Sequence, residues 1–163
     1  MAKSIRDRTA DADKPTGDSP VPLGRVLSFM RMLWAVDHGL NQVSRRMERT
    51  LGVTGPQRLV VRLVGQSPGV SAGTLAEALH LHPSTLTGVL KRLQERGLIE
   101  RAADPADARR SRLHLTPRGK AVDAVSAGTV EARIRTAMTG MSDADLAAAE
   151  RVLTHLAEVL SAA

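Results

Sequence analysis

The sequence predicts a mainly helical fold that carries one small β-hairpin. Apolar residues recur at three- and four-residue spacing over most of the chain, and two short strand-like runs flank a single polar loop. With 163 residues and 42% hydrophobic content, the chain is long enough for one domain with its own core. Because Phe29 and Trp34 are the only aromatic residues, that core must consist of Leu, Val, Ala and Met.

The N-terminal third is predicted to begin with a polar arm and to continue as two helices. Residues 1–20 mix both charge signs with proline and lack apolar periodicity, which is typical of a disordered arm. Residues 21–51 carry an apolar stripe, so a long amphipathic helix is expected to end at Gly52. Residues 54–57 match a capping box with proline in the first turn, and they open a helix that reaches about Val64.

The middle of the chain predicts two short helices followed by the hairpin. Ser71 is the expected N-cap of the first, and the second should cover residues 83–97, with proline in its first turn and glycine at its end. The expected strands, 98–101 and 111–115, flank a polar loop at 104–110.

Two further helices are expected at the C-terminus. One should begin at Thr116 and reach about Thr136, and the last should begin at Ser142. The last helix repeats apolar residues at alternating spacings of three and four, a pattern that favours contact with a partner helix. These residues are Leu146, Ala149, Leu153, Leu156 and Leu160.

Positive charge is concentrated around the hairpin. The formal net charge is +6, and residues 83–120 carry nine Lys/Arg against four Asp/Glu, whereas residues 121–163 carry three against six. A scattered excess would serve solubility alone, but concentration in one segment favours a basic binding face.

Several classes of function lack the residues that would carry them. The absence of cysteine excludes disulfides and thiolate zinc sites, and no phosphate-binding glycine loop or nucleophile elbow supports an enzyme or a cofactor. No apolar run is long enough for a membrane span and no signal-peptide core is present, so a cytoplasmic location is expected. The histidines lack metal-site spacing, and surface or capping positions are expected for them: His38, His80, His82 and His114.

The two short helices and the hairpin together favour double-stranded DNA as the partner. In a helix-turn-helix unit the second helix enters the major groove, although an ordinary amphipathic helix with a solvated polar face would show the same pattern. A basic loop adds arginines suited to the minor groove, and Asp107 would orient them. The candidate major-groove residues are Ser84, Thr85, Thr87 and Lys91, the loop arginines are Arg109 and Arg110, and the candidate phosphate contacts are Ser71, Arg92 and Arg112.

Three runs of sequence around this unit occur in a familiar order. They are Gly97-Leu98-Ile99-Glu100-Arg101, then Asp104-Pro105-Ala106-Asp107-Ala108-Arg109-Arg110, then Leu113-His114-Leu115-Thr116-Pro117-Arg118-Gly119. Together they resemble the signature of the multiple antibiotic resistance regulator (MarR) family of winged helix-turn-helix proteins. Residues 75–79 and 84–87 also lie where that family has the first helix of the motif and the recognition helix. The resemblance covers roughly residues 54–119 and is weaker in the flanking helices.

The resemblance implies a homodimer that places two winged lobes on a pseudo-palindromic operator. It divides the chain into an arm (1–20), an N-terminal dimerisation helix (21–53), a DNA-binding lobe (54–120) and C-terminal dimerisation helices (121–163). It makes Asp107 and Arg109 the pair in the wing, with Arg109 in the minor groove. Gly88 departs from the longer residue often found there, and it lowers helix propensity by about 1 kcal/mol relative to alanine.

The dimer also follows from the residues themselves. The amphipathic helices 21–51 and 142–161 would leave apolar faces uncovered beside a small lobe, and packing against a second copy would cover both. Packing of the two helices against each other within one chain is the alternative.

Small anionic or aromatic effectors are a further expectation that the family resemblance implies. A stacking and guanidinium clamp could form from residues of the first two helices, although a core tryptophan and solvated arginines are the ordinary alternative. The candidate pocket residues are Trp34, Asp37, His38, Arg58 and Arg62.

The sequence therefore predicts a sequence-specific transcriptional regulator, and more specifically a repressor. An architectural DNA-binding protein with little sequence preference is the alternative, and a protein-interaction module that does not bind DNA is a third hypothesis, which the charge distribution disfavours.

Overall fold

The computed structural model describes residues 23–104 and 107–161, and it describes their side chains except at 107–110. The predicted arm at 1–20 lies outside the described residues. The described residues fall into two compact units, which divide between Ala35 and Val36. Helix α1 (Arg25–Leu51) begins in the first unit and ends in the second, and Gly52 follows it at a φ of +73°, as the predicted helix end requires.

Helix α2 (Gly55–Gln66) opens with the predicted capping box. The backbone N–H of Gln57 donates to Thr54 Oγ1 at 3.4 Å, and the backbone N–H of Thr54 donates to Gln57 Oε1 at 3.1 Å. Pro56 occupies the first turn, where its missing N–H leaves no bond unmade.

The predicted helix-turn-helix is present as α3 (Ala72–Ala78) and α4 (Pro83–Glu95). Ser71 caps α3, since its Oγ accepts from the backbone N–H of Thr74 at 3.1 Å. His82 is the N-cap of α4, in agreement with the surface or capping position expected for it.

The hairpin is longer than predicted and belongs to a three-stranded antiparallel sheet. Its strands are β2 (Ile99–Asp104) and β3 (Asp107–Leu115), and the strand order is β1-β3-β2, where β1 is Val70–Ser71. The prediction of a loop over 104–110 was wrong for Asp104, which ends β2, and for residues 107–110, which belong to β3. The backbone ladder continues past the buried pair Ile99 and Leu115, because hydrogen-bond pairing does not require apolar side chains.

The single helix predicted from 116 to 136 was also wrong. The structure has α5 (Pro117–Ala124), α6 (Val130–Met138) and a final helix α7 (Asp143–Ser161). Between α5 and α6, Gly128 adopts a φ of +72° and Thr129 caps α6 by accepting from the backbone N–H of Ala132 at 3.2 Å.

The core lies in the segment from Val53 to Leu115, which confirms the predicted fold class of a mainly helical protein with a hairpin wing. Helices α6 and α7 contribute no buried residue, and α1 contributes only Met47. The buried cluster consists of Val53, Val60, Val61, Val64, Leu75, Ala76, Leu86, Leu90, Leu93, Leu98, Ile99, Leu113 and Leu115.

Candidate nucleic-acid interface and the neighbouring cavity

Helix α4 is fixed by one face and presents the other to solvent. Three leucines at helical spacing, Leu86, Leu90 and Leu93, are fully buried in the core. The predicted major-groove residues lie on the remaining surface and are all exposed: Ser84, Thr85, Thr87 and Lys91. A rigid helix with a polar free face has the geometry that major-groove recognition uses.

Two of the exposed hydroxyl groups make hydrogen bonds within α4. Thr87 Oγ1 donates to the carbonyl oxygen of Pro83 at 2.8 Å. Ser84 Oγ lies 2.7 Å from His82 Nδ1, and the backbone N–H of Ser84 donates to the same nitrogen at 3.3 Å. The first turn of the helix is therefore held by side chains that also lie on its exposed surface.

Gly88 leaves a gap in this surface. Apart from its two chain neighbours and the backbone of α4 itself, no atom lies within 4 Å of the position that a Cβ would occupy there. Lys91, one turn further along, is 77% exposed, and its ammonium lies 4.0 Å from Glu95, so it is available to a polyanion.

The outer half of the wing carries an ion pair that sequence reasoning missed. The guanidinium of Arg112 binds both carboxylate oxygens of Asp104, from Nη2 to Oδ1 and from Nε to Oδ2, each at 3.1 Å. The prediction named Asp107 as the orienting acid and Arg112 as a phosphate contact. The cross-strand spacing of 104 and 112 in the hairpin was the available signal, but the loop prediction concealed it.

A second arginine ties the wing to α4. Arg101 donates from Nε to Gln94 Oε1 and from Nη1 to Ser111 Oγ, both at 3.1 Å. The predicted wing side chains Asp107, Arg109 and Arg110 lie outside the described side chains, and their backbone belongs to β3. The other phosphate candidates are Arg92, which is exposed on α4, and Ser71, which is half-buried at the α3 cap.

Arg58 has a structural role instead of the predicted ligand-binding one. It is 2% exposed, and its Nε donates to Glu131 Oε1 at 2.7 Å. Its other N–H groups donate to the carbonyl oxygens of Val122, Asp123 (3.1 Å) and Val125 (2.7 Å). Four of the five N–H groups of a guanidinium are thereby committed, so Arg58 is not free to clamp an effector.

The pairing with Arg58 also affects the ionisation of Glu131. Burial opposes the charged form and raises the pKa of this carboxyl, but a hydrogen bond from its own backbone and the hydrogen bond and charge of Arg58 lower it, with Thr129 adding a further hydrogen bond. The net pKa lies below the ordinary value of glutamate. Glu131 is therefore an ionised anchor that holds α6 to α2.

A cavity of about 650 Å³ lies beside this ion pair, between the second half of α1, α2, the end of α3 and α6. Arg62 lines it and binds Asp123 through Nη1 at 2.9 Å. Arg135, which the sequence prediction omitted, also lines it, and no side-chain hydrogen bond of Arg135 is found within the described part of the chain. The remaining walls are mostly apolar and include Leu40, Leu59, Leu63, Leu79, Leu81, Val130 and Ile134.

The other predicted pocket residues are distributed differently. Asp37 lines the cavity, and His38, through Nε2, shares a hydrogen bond of 2.7 Å with Gln42 Nε2 on the exposed surface of α1. Trp34 belongs to the first unit and is 67% exposed.

Neither a metal cluster nor a membrane span is found in the part that the structure covers. Across residues 23–104 and 107–161, no group of three or more His, Cys, Asp or Glu side chains is arranged to hold a metal ion. Within the same residues, no helix is both long and apolar enough to cross a bilayer.

Comparison with known proteins identifies a family match over the helix-turn-helix and part of the hairpin. A model of the MarR family matches residues 51–110. That match includes α2, α3, α4, β2 and the start of β3.

Curated relatives are named as transcriptional regulators. A putative transcriptional regulatory protein for the hcr operon of Thauera aromatica is 37% identical over 78 residues, which are 48% of this chain and 47% of that protein. The repressor Rv2887 of Mycobacterium tuberculosis is 35% identical over 44% of this chain and 52% of its own length. The chain thus spans about half of each. The regulator YsmB of Bacillus subtilis is 27% identical over 83% of this chain and 92% of its own length.

Solved structures share the fold over most of the chain. The structure of MepR of S. aureus with DNA superposes with a TM-score of 0.68 at 19% identity, covering 84% of this chain and 99% of that one. PcaV of Streptomyces coelicolor, in complex with its natural ligand, superposes with a TM-score of 0.66 at 22% identity, covering 85% and 98%. At this identity the likeness establishes the fold. The relatives reported are all named as transcriptional regulators or repressors.

Proposed function

We propose that this chain is a cytoplasmic DNA-binding transcriptional repressor of the MarR family of winged helix-turn-helix proteins, and that it acts as a homodimer. The observation that carries the proposal is the exposed polar face of α4, which is held rigidly by three buried leucines beside a basic wing. The relatives named as regulators, and the neighbour solved with DNA, support the same function.

The proposed contacts divide between the two grooves. The recognition helix α4 enters the major groove with Ser84, Thr85, Thr87 and Lys91, and the wing reaches the minor groove with Arg109. Arg112, which is oriented by Asp104, is assigned to a phosphate, because a guanidinium with one face bound to a carboxylate still presents N–H groups outward.

A second copy of the chain would cover the apolar surface of the end helices. Leu153 and Leu160 on α7 are 55% and 72% exposed, and further apolar side chains are exposed on α1 and α6. An exposed apolar surface of this extent is typical of a protein interface. Pairing would also place two winged lobes at a fixed spacing, which a pseudo-palindromic operator requires.

The cavity is the proposed effector site. Its apolar walls suit a flat or hydrophobic body, and Arg62 and Arg135 suit a carboxylate or another anionic group. The neighbour solved with its natural ligand supports the idea that this fold accommodates small molecules. Arg58 is left out of this site because its donors are bound internally.

The test is to map the binding site on the DNA around the gene of this chain and to measure affinity against random duplex. A regulator should prefer its own site by about 10³-fold or more, whereas an architectural protein would bind both alike. Arg109→Ala should weaken operator binding about 10- to 100-fold, whereas Arg112→Ala, which removes a proposed phosphate contact, should weaken binding to all sequences alike. Unchanged operator affinity in Arg109→Ala would contradict the wing assignment.

A further inference from the structure

The hydroxyl groups on the exposed face of α4 differ in whether their protons are free. A hydroxyl carries one donated proton and two acceptor lone pairs. Thr87 Oγ1 lies 2.8 Å from the carbonyl oxygen of Pro83, and a carbonyl oxygen can only accept. The proton of Thr87 is therefore committed inside the helix, and its lone pairs face outward.

The direction of the hydrogen bond at Ser84 follows from the cap. The backbone N–H of Ser84 can only donate, and it points to His82 Nδ1 at 3.3 Å, so Nδ1 must be the unprotonated nitrogen of the imidazole. Ser84 Oγ, at 2.7 Å from the same nitrogen, must then be a donor as well. Ser84, like Thr87, retains only acceptor capacity toward an outside partner.

The third hydroxyl lacks such a constraint. No hydrogen bond of Thr85 Oγ1 is found among the described residues, so that hydroxyl can either donate or accept. Thr85 is exposed on the same helix and has the same side chain as Thr87, which makes it a matched internal control.

We propose that Ser84 and Thr87 select bases that present an exocyclic amino group in the major groove, namely adenine through N6 or cytosine through N4. The inference rests on the proposed function, because it assumes that α4 enters the groove. Guanine and thymine present only acceptors or a methyl group there, and an acceptor-only hydroxyl cannot bond them without breaking its bond inside the helix.

The gap at Gly88 makes such short contacts feasible. Ser and Thr hydroxyls extend only one bond beyond Cβ, so they reach base edges only if the helix backbone comes close. Gly88 follows Thr87 directly and lies one turn after Ser84. Because Gly88 has no side chain and the space there is open, nothing at this position holds the helix away from a base edge.

The experiment selects preferred duplexes from a random library with the full-length chain and with Ser84→Ala, Thr87→Val and Thr85→Val. At each position whose preference changes in a variant, purine then replaces adenine, or pyrimidin-2-one replaces cytosine, so that only the amino group is lost. The two replacements distinguish adenine from cytosine as the source of the donor.

The wild type should lose about 3- to 10-fold in affinity on the amino-deleted duplex, which is the effect of one hydrogen bond. Thr87→Val or Ser84→Ala should show no further loss at its own position, while Thr85→Val keeps the full loss. Selection of guanine or thymine there, or equal losses in all four proteins, would overturn the inference and leave the proposed function standing. Failure to enrich any sequence would overturn both.

Discussion

Helices α4 and α7 both carry leucines on one face, but the chain uses them in opposite ways. In α4, Leu86, Leu90 and Leu93 are at most 1% exposed, whereas in α7 Leu153 is 55% exposed and Leu160 is 72% exposed. The winged lobe (residues 54–120) thus completes its core within one chain. Helix α7 has the apolar pattern of a core helix, but no covering surface for it is found among the residues that the structure describes. Substitutions in the two regions should therefore have different consequences.

The largest loss of folding stability is expected from a substitution at the tightly packed Gly119. Gly119 is buried at the start of α5, and a Cβ at this position would collide with the backbone carbonyl oxygen of Leu98. Because backbone cannot move aside as a flexible side chain can, Gly119→Ala should lower the free energy of unfolding by about 3 kcal/mol or more. Urea denaturation followed by circular dichroism measures this change.

The matched control for Gly119 is Gly73→Ala in α3. The nearest atom to a Cβ there is Ser71 Oγ at 3.7 Å, an ordinary contact. The control should unfold at or above the wild-type urea concentration. Equal stability of the two alanine variants would show that the lobe tolerates expansion at Gly119 and is less tightly packed than described.

The second largest effect is expected on dimerisation, from a substitution in α7 that leaves the winged lobe folded. A carboxylate at position 153 would have to be buried in the proposed contact between copies of α7, so Leu153→Asp should weaken dimerisation about 100-fold. Analytical ultracentrifugation across a concentration series measures the shift from dimer to the 17.4 kDa monomer.

Thr154→Asp is the control for Leu153, because Thr154 lies on the polar face of α7 with Glu150 and Glu158. It should leave the dimer unchanged. A wild-type chain that is already monomeric at micromolar concentration would contradict the dimer, and unfolding of Leu153→Asp would show that α7 is part of the core of its own chain.

The same contrast explains what the sequence could predict. The capping box at Thr54 and the cap at Ser71 depend on neighbours within three residues, and both were predicted correctly. The break before Thr129 was missed although Gly128 and the N-cap Thr129 are local signals for it. The break is also stabilised from a distance, because Arg58 donates to carbonyls at the end of α5, more than sixty residues along the chain. Composition and periodicity carry no signal for such a contact.

The candidate site was predicted by the same kind of local signal. The exposed face of α4 follows from helical spacing around its buried leucines. The ion pair of Asp104 with Arg112 was not foreseen because the predicted loop over 104–110 concealed the strand register that pairs them. The internal bonding of Arg58 was not foreseen because it depends on helix packing that the sequence does not encode locally.

A smaller effect is expected at the junction between the lobe and α6. Glu131 has a lowered pKa in the folded state, so its charged form contributes stability at neutral pH, and this contribution is lost as the pH falls through its folded pKa. Glu131→Gln should cost about 1.5 kcal/mol at pH 7, the effect of one charged hydrogen bond, and progressively less below about pH 4.3.

Unfolding midpoints of the wild type and Glu131→Gln between pH 3 and pH 7 measure this difference. Glu150→Gln, on the exposed polar face of α7, should leave the midpoint unchanged throughout. A stability difference between wild type and Glu131→Gln that stays constant with pH would contradict the ionised anchor.

The smallest effect is expected at Gly88 in α4, where one substitution should change folding stability and operator affinity in opposite directions. Gly88→Ala places a methyl group in open space and should stabilise the fold by about 1 kcal/mol or less, because alanine has the higher helix propensity. If the missing side chain at Gly88 allows the backbone of α4 to come close to the bases, the same substitution should weaken operator affinity. Gly39→Ala, equally unobstructed on α1, should gain stability without losing DNA affinity. Equal operator affinity of Gly88→Ala and the wild type would mean that α4 does not need this gap, whereas a loss confined to Gly88 would show that α4 gives up stability for contact with DNA.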